Sequence, residues 1–370
     1  MIILREKLSR IFKQLLEEII SFSINQKLFE GCDKLAIGVS GGADSMALLI
    51  LLMNLQKKFS FQLHVFHFDH RIQAISRNHV RFVAHFCQSN GIPFHLGRNL
   101  PSPNPKNNRT GQGISQDCSR KSRMAFFQKK SQELKIRYLA LAHNANDQAE
   151  TILWRLLRGA APQSLTGISA IRKMGDLIVL RPLLTITRKR IELFLKSLGQ
   201  EFCQDPSNQK VNYLRNRIRK QLIPLLEQQY NPQVQKHLCQ MAWDHVRENE
   251  VMEASLKAWL SQNLPEDQKK FSNLCWPRER LQECPQGLRY RLYLHLMKKV
   301  KKLKISALNR RHLQTMEELI YSKQGGQLAL PGGWTMRVGN RNQGYLVQLV
   351  AKTLRSPLVK SKERLRQPGV

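Results

Sequence analysis

Apolar and polar positions along the first half of the chain form a repeating strand and helix pattern. Short apolar runs, typical of buried strands, are separated by longer stretches in which apolar residues recur at helical spacing. Such repeats predict an α/β fold, a parallel sheet with helices on both faces, whose ligands bind beyond the carboxyl ends of the strands. The predicted strands are 35–39, 62–68, 92–96, 138–143 and 177–184, and the predicted helices are 43–55, 76–89, 114–134, 147–157 and 187–198.

The pattern changes in the second half, which predicts a separate helical and mixed domain. Residues 208–259 are basic with helical spacing, and the region after them combines helical runs with a short β-like segment at 327–338. We therefore predict four segments. They are an N-terminal helix at 1–30, an α/β domain at 31–205, a basic helical and mixed region at 206–350, and a basic tail at 351–370.

Features that report on location point to a cytoplasmic protein. Residues 1–20 carry charges throughout, as an amphipathic helix does and a secretory signal does not. No run of roughly 18 apolar residues is present, so we expect no membrane span. Seven cysteines occur without any CxxC pair, which argues against a disulfide framework, a zinc knuckle or an iron–sulfur site. A reducing, cytoplasmic compartment is the expectation.

Basic residues dominate the charge of the chain. Lysine and arginine together number 60 against 27 acidic residues, so the formal net charge is +33 in 370 residues. A surplus of this size suits a polyanionic partner, because like charge opposes compaction. The stretches 70–116 and 285–315 contain no acidic residue, and such blocks fit contacts to nucleic-acid phosphates.

The most specific chemical signal is VSGGADS at 39–45, directly after the first predicted strand and at the start of the first predicted helix. Glycines let the backbone turn tightly, and the loop N–H groups form an anion site together with the helix N-terminus. An acidic residue in such a site is explained by a Mg²⁺ ion between it and the phosphates. The nucleotide-binding candidates are Ser40, Gly41, Gly42, Ala43, Asp44 and Ser45, and Asp44 is also a candidate metal ligand.

SGGADS resembles the PP-loop of N-type ATP pyrophosphatases, enzymes with an adenine nucleotide alpha hydrolase-like fold. These enzymes cleave ATP between the α and β phosphates, adenylate a carbonyl oxygen, and let a nucleophile displace AMP. The loop differs from GxxxxGK[ST], so transfer of the γ-phosphate is not implied. The resemblance implies ATP and Mg²⁺ as cofactors.

Further strings are similar to segments of the tRNA(Ile)-lysidine synthases within that group. HFDHR at 67–71 resembles an HVDHG segment, with Arg71 in place of glycine, and CSRKSRMAFF at 118–127 resembles an AR-x-x-RY helix. AHNANDQAETILWRLLRGA at 142–160 resembles HHxDDQxETxLxRLLRG, with Asn146 in place of the first aspartate of the pair. The resemblance implies Asp147, Asp44 and Arg120 as catalytic residues, Asp44 and Asp147 as Mg²⁺ ligands, and His67 and Arg123 as nucleotide contacts.

Two later strings also match the family. RPLL at 181–184 is one, and DPSNQKVNYLRNRIRKQLIPLL at 205–226 resembles the DxSN…RNxIRxxLxPxL signature. Arg215 and Arg219 are one helical turn apart and share a face, which suits contacts to an RNA backbone. An internal salt-bridge network with Asp205 is the alternative for these two arginines. The RNA-binding candidates are Arg215, Arg219 and Arg181.

The resemblance implies a ligase that acts on RNA. Such an enzyme binds ATP and Mg²⁺ and adenylates the C2 carbonyl oxygen of the first anticodon cytidine in an isoleucine tRNA with a CAU anticodon. The ε-amine of L-lysine then displaces AMP, and a carboxylate such as Asp147 suits the proton of that amine. Dimers are common in the family, so a homodimer is a further expectation.

Three other function classes stay open at the level of the sequence. A tRNA thiolase with the same loop is disfavoured because no CxxC is present. An ATP-binding amidotransferase or NAD synthetase has no need of a charge of +33. A catalytically inactive RNA-binding module is opposed by the intact SGGADS and Asp147, although Asn146 and Arg71 depart from the family pattern.

Overall fold

The computed structural model describes residues 10–69, 75–98, 116–203, 214–264, 275–298, 308–339 and 346–351. By compactness the chain divides into two units, Met1–Val246 (unit 1) and Arg247–Val370 (unit 2). The four-segment division drawn from the sequence stays a prediction. Arg71, Asp205 and the basic tail from residue 352 onward lie outside the described residues.

Unit 1 is built on a six-stranded sheet. Its strands are β1 (Lys34–Gly38), β2 (Gln62–Asp69), β3 (Phe94–Arg98), β4 (Tyr138–Ala140), β5 (Ile171–Met174) and β6 (Leu177–Leu180). They lie in the order β3-β2-β1-β4-β6-β5, and all neighbours pair in parallel except β5 and β6, which form an antiparallel hairpin. The predicted parallel sheet is confirmed, with one antiparallel edge strand that the sequence pattern does not predict.

Helices connect these strands and continue beyond them. They are α1 (Arg10–Asn25), α2 (Ala43–Phe59), α3 (Ile75–Ser89), α4 (Gln116–Glu133), α5 (Ala145–Leu157), α6 (Arg188–Ser197), α7 (Leu214–Arg217), α8 (Ile223–Gln229) and α9 (Val234–Asn263). A π-helical turn, Ile218–Leu222, joins α7 to α8. The five helices predicted for the α/β part correspond to α2 through α6, with ends that differ by a few residues.

Both faces of the sheet are buried, because alternate side chains of a strand point to opposite sides. On β1, Leu35 and Ile37 belong to a core that includes side chains of α1, α2, α3 and α6. Ala36, between them, belongs to a second core with Phe127 of α4. Full burial of a leucine or isoleucine side chain contributes about 1.5–3 kcal/mol, so both layers stabilise the sheet. The prediction of helices on both faces is confirmed.

Two predicted strands are longer than the strands observed. The sequence pattern extends the fourth strand to residue 143 and the fifth to residue 184, but β4 ends at Ala140 and β6 at Leu180. Pro182 lacks an N–H for the ladder, and the Arg181 N–H donates to the Ala170 carbonyl instead. The chain therefore leaves the sheet early, and the residues after β4 are available to form a site.

The strand order places a topological switch point between β1 and β4. The chain adds β2 and β3 on one side of β1, and β4 followed by β6 on the other side. In doubly wound sheets a crevice forms at this point, beyond the carboxyl ends of the strands. The SGGADS loop follows β1 and the segment 141–147 follows β4, so the two most informative motifs meet at the place where such folds bind ligands.

Unit 2, which begins at Arg247 within α9, is a small domain of helices and strands. Its elements are β7 (Cys275–Pro277), α10 (Arg278–Gln282), α11 (Gln286–Lys298), α12 (Arg310–Tyr321), β8 (Gly326–Leu330), β9 (Trp334–Val338) and β10 (Leu346–Ala351). The strands form an antiparallel sheet in the order β7-β10-β9-β8. Leu292, Met316 and Met336 lie in its core, one each from α11, α12 and β9. The predicted helical and mixed C-terminal part is confirmed.

None of the helices in the described part of the chain combines the length and apolar character that crossing a bilayer requires.

Candidate active site

The loop after β1 is held in shape by its own serines. The Ser45 hydroxyl donates to the Gly42 carbonyl at 2.9 Å and accepts from the Ser40 N–H at 3.1 Å. The hydroxyl oxygens of Ser40 and Ser45 are also 3.1 Å apart. Helix α2 begins at Ala43 with Asp44 in its first turn, so the loop ends at the positive end of a 17-residue helix. This arrangement suits an anionic ligand.

Gly41 is the residue that the loop conformation requires. Its φ of 91° lies in the region that strains other residues, and a Cβ there would be 3.3 Å from the Cys203 sulfur. The Cys203 N–H donates to the Gly41 carbonyl at 2.9 Å. This bond ties the loop to the end of the described segment 116–203. Cys203 is not among the predicted site residues, because nothing in the surrounding sequence marks its contact with the loop.

Asn144 joins the SGGADS loop to the start of α5. Its side-chain oxygen accepts from the Asp147 N–H at 3.1 Å, and its backbone N–H donates to Asp147 Oδ2 at 3.1 Å, which together form a capping box. Its side-chain NH₂ group donates to Asp44 Oδ1 at 3.0 Å. The structure thus brings together Asp44 and Asp147, the two predicted metal ligands, around one side chain that sequence reasoning does not single out.

The surroundings of Asp44 fit a divalent cation. Burial raises the pKa of Asp44 and the charge of Asp147 raises it too, whereas Arg188 lowers it. Two neighbouring carboxylates of like charge are unfavourable without a counter-charge. No cluster of three or more His, Cys, Asp or Glu side chains suited to a metal occurs among the described residues. Mg²⁺ commonly takes one or two carboxylates with phosphate oxygens and water, so Asp44 and Asp147 suit Mg²⁺ that arrives with a nucleotide.

Arg215 and Arg219 contact the carboxylates of α5. Arg215 Nη2 is 3.1 Å from Asp147 Oδ1, and Arg215 Nε is 3.1 Å from Glu150 Oε2. Arg219 Nε is 2.5 Å from Glu150 Oε1, and its Nη2 is 3.6 Å from Asp147 Oδ1. The arginine side chains are 47% and 33% exposed, against 3% for that of Glu150. These arginines therefore form an ion network with Asp147 and Glu150. A network with Asp205, which lies outside the described residues, and contact of these arginines with RNA both stay predictions.

Arg181 is tied to the segment after β4. Its Nε donates to His143 Nδ1 at 3.2 Å and its Nη1 donates to the Ser169 carbonyl at 2.7 Å, and only 5% of the residue is exposed. Burial lowers the pKa of Arg181 to about 10 and that of His143 to about 4. His143 is therefore neutral near pH 7, and with Nδ1 as acceptor it carries its proton on Nε2. An RNA contact of the buried Arg181 stays a prediction.

The two arginines of α4 differ in their surroundings. Arg123 Nε is buried and has no hydrogen-bond partner in the part of the chain that the structure describes. Burial lowers the pKa of Arg123, and the neighbouring Arg120 adds to this effect. Buried donors are nearly always satisfied in folded proteins, so an anionic ligand at Arg123 would complete its bonding. Arg120 is exposed, and its charge lowers the pKa values of His143 and Arg181.

His67 and Asn146 support the backbone around the loop. His67 is buried at the end of β2, and its Nδ1 lies 2.8 Å from the Val39 carbonyl, directly before the loop. Asn146 accepts from the Arg188 N–H at 2.8 Å and donates to Gln235 Oε1 at 2.6 Å, which fastens α6 and α9 to α5. An amide both accepts and donates here, whereas an ionised carboxylate only accepts. These bonds explain why an amide at position 146 is compatible with the site.

Comparison with known proteins identifies the family. Residues 4–226 match the model of a PP-loop domain family, ATP_bind_3. The chain is 30% identical over 334 residues to the tRNA(Ile)-lysidine synthase of Nostoc sp., across 87% of this chain and 94% of that one. It is 31% identical over 310 residues to the enzyme of the same name from Thermosynechococcus vestitus, across 83% and 85%. The chain belongs to the tRNA(Ile)-lysidine synthase family. Membership in this family makes the chain a ligase with an ATP-binding PP-loop.

The fold also has a counterpart among solved structures. The U34-tRNA thiolase NcsA from Methanococcus maripaludis, solved with its [4Fe-4S] cluster, is similar with a TM-score of 0.52 and 17% identity, over 63% of this chain and 79% of that one. At this identity the likeness concerns the fold alone. Together with the PP-loop domain match, it confirms the predicted adenine nucleotide alpha hydrolase-like architecture.

Proposed function

We propose that this member of the family uses ATP and Mg²⁺ to join L-lysine to the first anticodon cytidine of an isoleucine tRNA with a CAU anticodon. One observation carries the proposal: Asp44 and Asp147 meet through Asn144, beside an anion-binding loop at the switch point of the sheet. The names of the relatives from Nostoc and T. vestitus support the class of substrate.

In this proposal the nucleotide lies along the SGGADS loop. Ser40, Ser45 and the loop N–H groups would bind phosphate oxygens, and Asp44 and Asp147 would hold Mg²⁺. Arg123 Nε, which has no partner in the described part of the chain, is a charged donor for a further phosphate oxygen. When bound, Mg²⁺ neutralises phosphate charge and assists the departure of pyrophosphate.

The reaction has two steps. The C2 carbonyl oxygen of the cytidine displaces pyrophosphate from the α-phosphate of ATP and becomes adenylated. The neutral ε-amine of lysine then forms a bond to C2, AMP leaves with the C2 oxygen, and the amine gives up a proton. Asp147 accepts that proton as a general base. Its Oδ2 is bound within the capping box, whereas its Oδ1 faces the partly exposed Arg215 and Arg219 and is the oxygen proposed to take the proton.

The positive charge supports an RNA partner. A net charge of +33 favours binding to phosphates, and the candidates for such contacts are Arg215, Arg219 and Arg181. Arg120, which is exposed and acts electrostatically on His143, keeps its predicted catalytic role. The target base has to be unstacked from its neighbours to reach Asp147, as is general for chemistry on a base. A homodimer remains an expectation from the family resemblance.

The test combines purified protein, ATP, Mg²⁺, lysine and an unmodified isoleucine tRNA with a CAU anticodon. The tRNA is then digested to nucleosides and analysed by mass spectrometry. We expect one cytidine to gain the mass of lysine less water, only when ATP is present. Asp147→Asn should slow the reaction about 100-fold or more, because general-base catalysis typically contributes at least that factor.

Asp176→Asn is the matched control, since it makes the same chemical change in the exposed turn between β5 and β6. It should react at the wild-type rate. AMP release with another tRNA, without a mass gain on the isoleucine tRNA, would overturn the substrate assignment and keep the PP-loop chemistry. Equal rates for Asp147→Asn and wild type would overturn the role of Asp147.

A further inference from the structure

We propose that Asn144 is a positioning residue for the metal–nucleotide complex, because its side-chain amide holds the carboxylates of Asp44 and Asp147 in place. This inference rests on the proposed binding of ATP with Mg²⁺. Asn144 is fully buried, with 0% of its surface exposed, and each polar end of its side chain has one partner. Its place, between the loop after β1 and the helix after β4, is the switch point itself.

The hydrogen bonds of Asn144 determine which way its amide points. Oδ1 accepts from the Asp147 N–H, and Nδ2 donates to Asp44 Oδ1. The reversed amide would place an oxygen against a carboxylate and an NH₂ group against an N–H, so only one orientation satisfies both partners. The same side chain therefore caps α5 and orients Asp44, two tasks that need an acceptor and a donor about one amide width apart.

The hydrogen bonds of Asn144 determine which carboxylate oxygens of Asp44 and Asp147 are available to bind a cation. Asp44 Oδ1 is occupied by the amide, and Asp44 Oδ2 has no hydrogen-bond donor among the described residues. Asp147 Oδ2 is bound by the Asn144 N–H, while its Oδ1 faces Arg215. Each carboxylate thus has one oxygen fixed by Asn144 and a second directed elsewhere. A cation held by Asp44 and Asp147 would meet carboxylates that are already oriented, which would lower the cost of binding.

Substituting Asn144 with serine or threonine separates the capping of α5 from the hydrogen bond to Asp44. A hydroxyl oxygen at position 144 can accept from the Asp147 N–H and keep the helix cap, because serine and threonine are also favoured N-cap residues. Their single hydroxyl can also donate, but in the capping position it lies about one amide width from the place of Asn144 Nδ2 and does not reach Asp44 Oδ1. In Asn144→Ser and Asn144→Thr the cap is preserved and the support of Asp44 is lost. Threonine is included because its volume is close to that of asparagine, so it leaves little cavity in this buried place.

The measurement is binding of Mn²⁺, as a spectroscopic substitute for Mg²⁺, in the presence of α,β-methylene-ATP, followed by electron paramagnetic resonance. We expect both variants to bind Mn²⁺ about tenfold more weakly than wild type, the size of effect that losing one hydrogen bond to a charged group produces. The melting temperatures of the variants should fall by no more than roughly 2–8 °C, because the helix cap is kept and one hydrogen bond is lost. Binding of α,β-methylene-ATP without metal should change much less.

Asn309→Ser is the matched control. Asn309 caps α12 in unit 2 with the same reciprocal geometry, through His312, and the candidate site residues all belong to unit 1. It should bind Mn²⁺ like wild type. Wild-type affinity in Asn144→Ser and Asn144→Thr, while Asp44→Asn loses Mn²⁺, would overturn the positioning role and leave the proposed function standing. A wild-type protein that binds neither Mn²⁺ nor the ATP analogue would overturn both.

Discussion

Replacing Glu150 with glutamine tests whether the ion network on α5 stabilises unit 1. The Glu150 side chain is 3% exposed, and its two oxygens contact Arg215 Nε and Arg219 Nε at 3.1 and 2.5 Å. Breaking a buried ion pair by removing one partner costs about 3–5 kcal/mol. Here both arginines keep a large exposed fraction and regain water, and glutamine retains one acceptor oxygen. We therefore expect Glu150→Gln to lower the free energy of unfolding by about 1–2 kcal/mol.

The assay is urea denaturation followed by tryptophan fluorescence, since urea, unlike guanidinium chloride, does not screen ion pairs. Trp154 lies on the same helix as Glu150, and Trp243 packs against Phe22 in unit 1, so both report on this unit. The control is Glu192→Gln, whose pair with Arg188 is exposed on both sides and should cost about 0.3–0.5 kcal/mol. A loss in Glu150→Gln no larger than in this control refutes the reasoning.

Two further predictions concern the loop. Gly41→Ala should lower ATP affinity in titration calorimetry and destabilise more than Gly91→Ala, because both glycines have positive φ but only the former meets a neighbour, Cys203 Sγ at 3.3 Å. Unchanged affinity in Gly41→Ala would contradict the role of the loop. Burial raises the pKa of Asp44 above 3.8, so the folded state holds this proton more tightly, and the stability it contributes is lost as the pH rises through the raised pKa. The free energy of unfolding in urea should therefore rise in Asp44→Asn relative to wild type as the pH rises above about 4. A difference between the two proteins that does not change with pH would contradict the raised pKa of Asp44.

The elements that the sequence predicts best are those set by local pattern. The run that becomes β1 is apolar on both faces, and a glycine-rich turn and a helical pattern follow it directly. The strand, the loop and the helix can therefore be predicted from neighbouring residues alone. The run that becomes β5 shows the opposite case. Its sequence, IRKM, shows no alternation of apolar and polar residues, and three of its four residues are exposed. It is a strand because it pairs with β6 across the turn at Gly175.

The contacts that orient the site could not be predicted, because they join distant parts of the chain. Asn144 has the pattern of an ordinary helix cap, and its bond to Asp44 spans 100 positions. The hydrogen bond from Cys203 to Gly41 joins two backbone groups, so the residue types at these positions do not predict it. The spacing of Arg215 and Arg219 correctly predicts a shared face, but which residues that face meets is a matter of tertiary packing.

The amide at position 146 is compatible with retained catalysis. A carboxylate at this position would be a further negative charge directly beside Asp147, whose charge already acts on Asp44. Burial and the charge of Asp147 already make the ionised form of Asp44 harder to reach, and another like charge would act in the same direction. A neutral amide avoids that charge and uses both of its polar ends to hold Arg188 and Gln235. Asn146 therefore leaves Asp147 as the acidic residue of the pair. Asp44, although its pKa is raised, ionises more readily than it would with a second carboxylate at position 146.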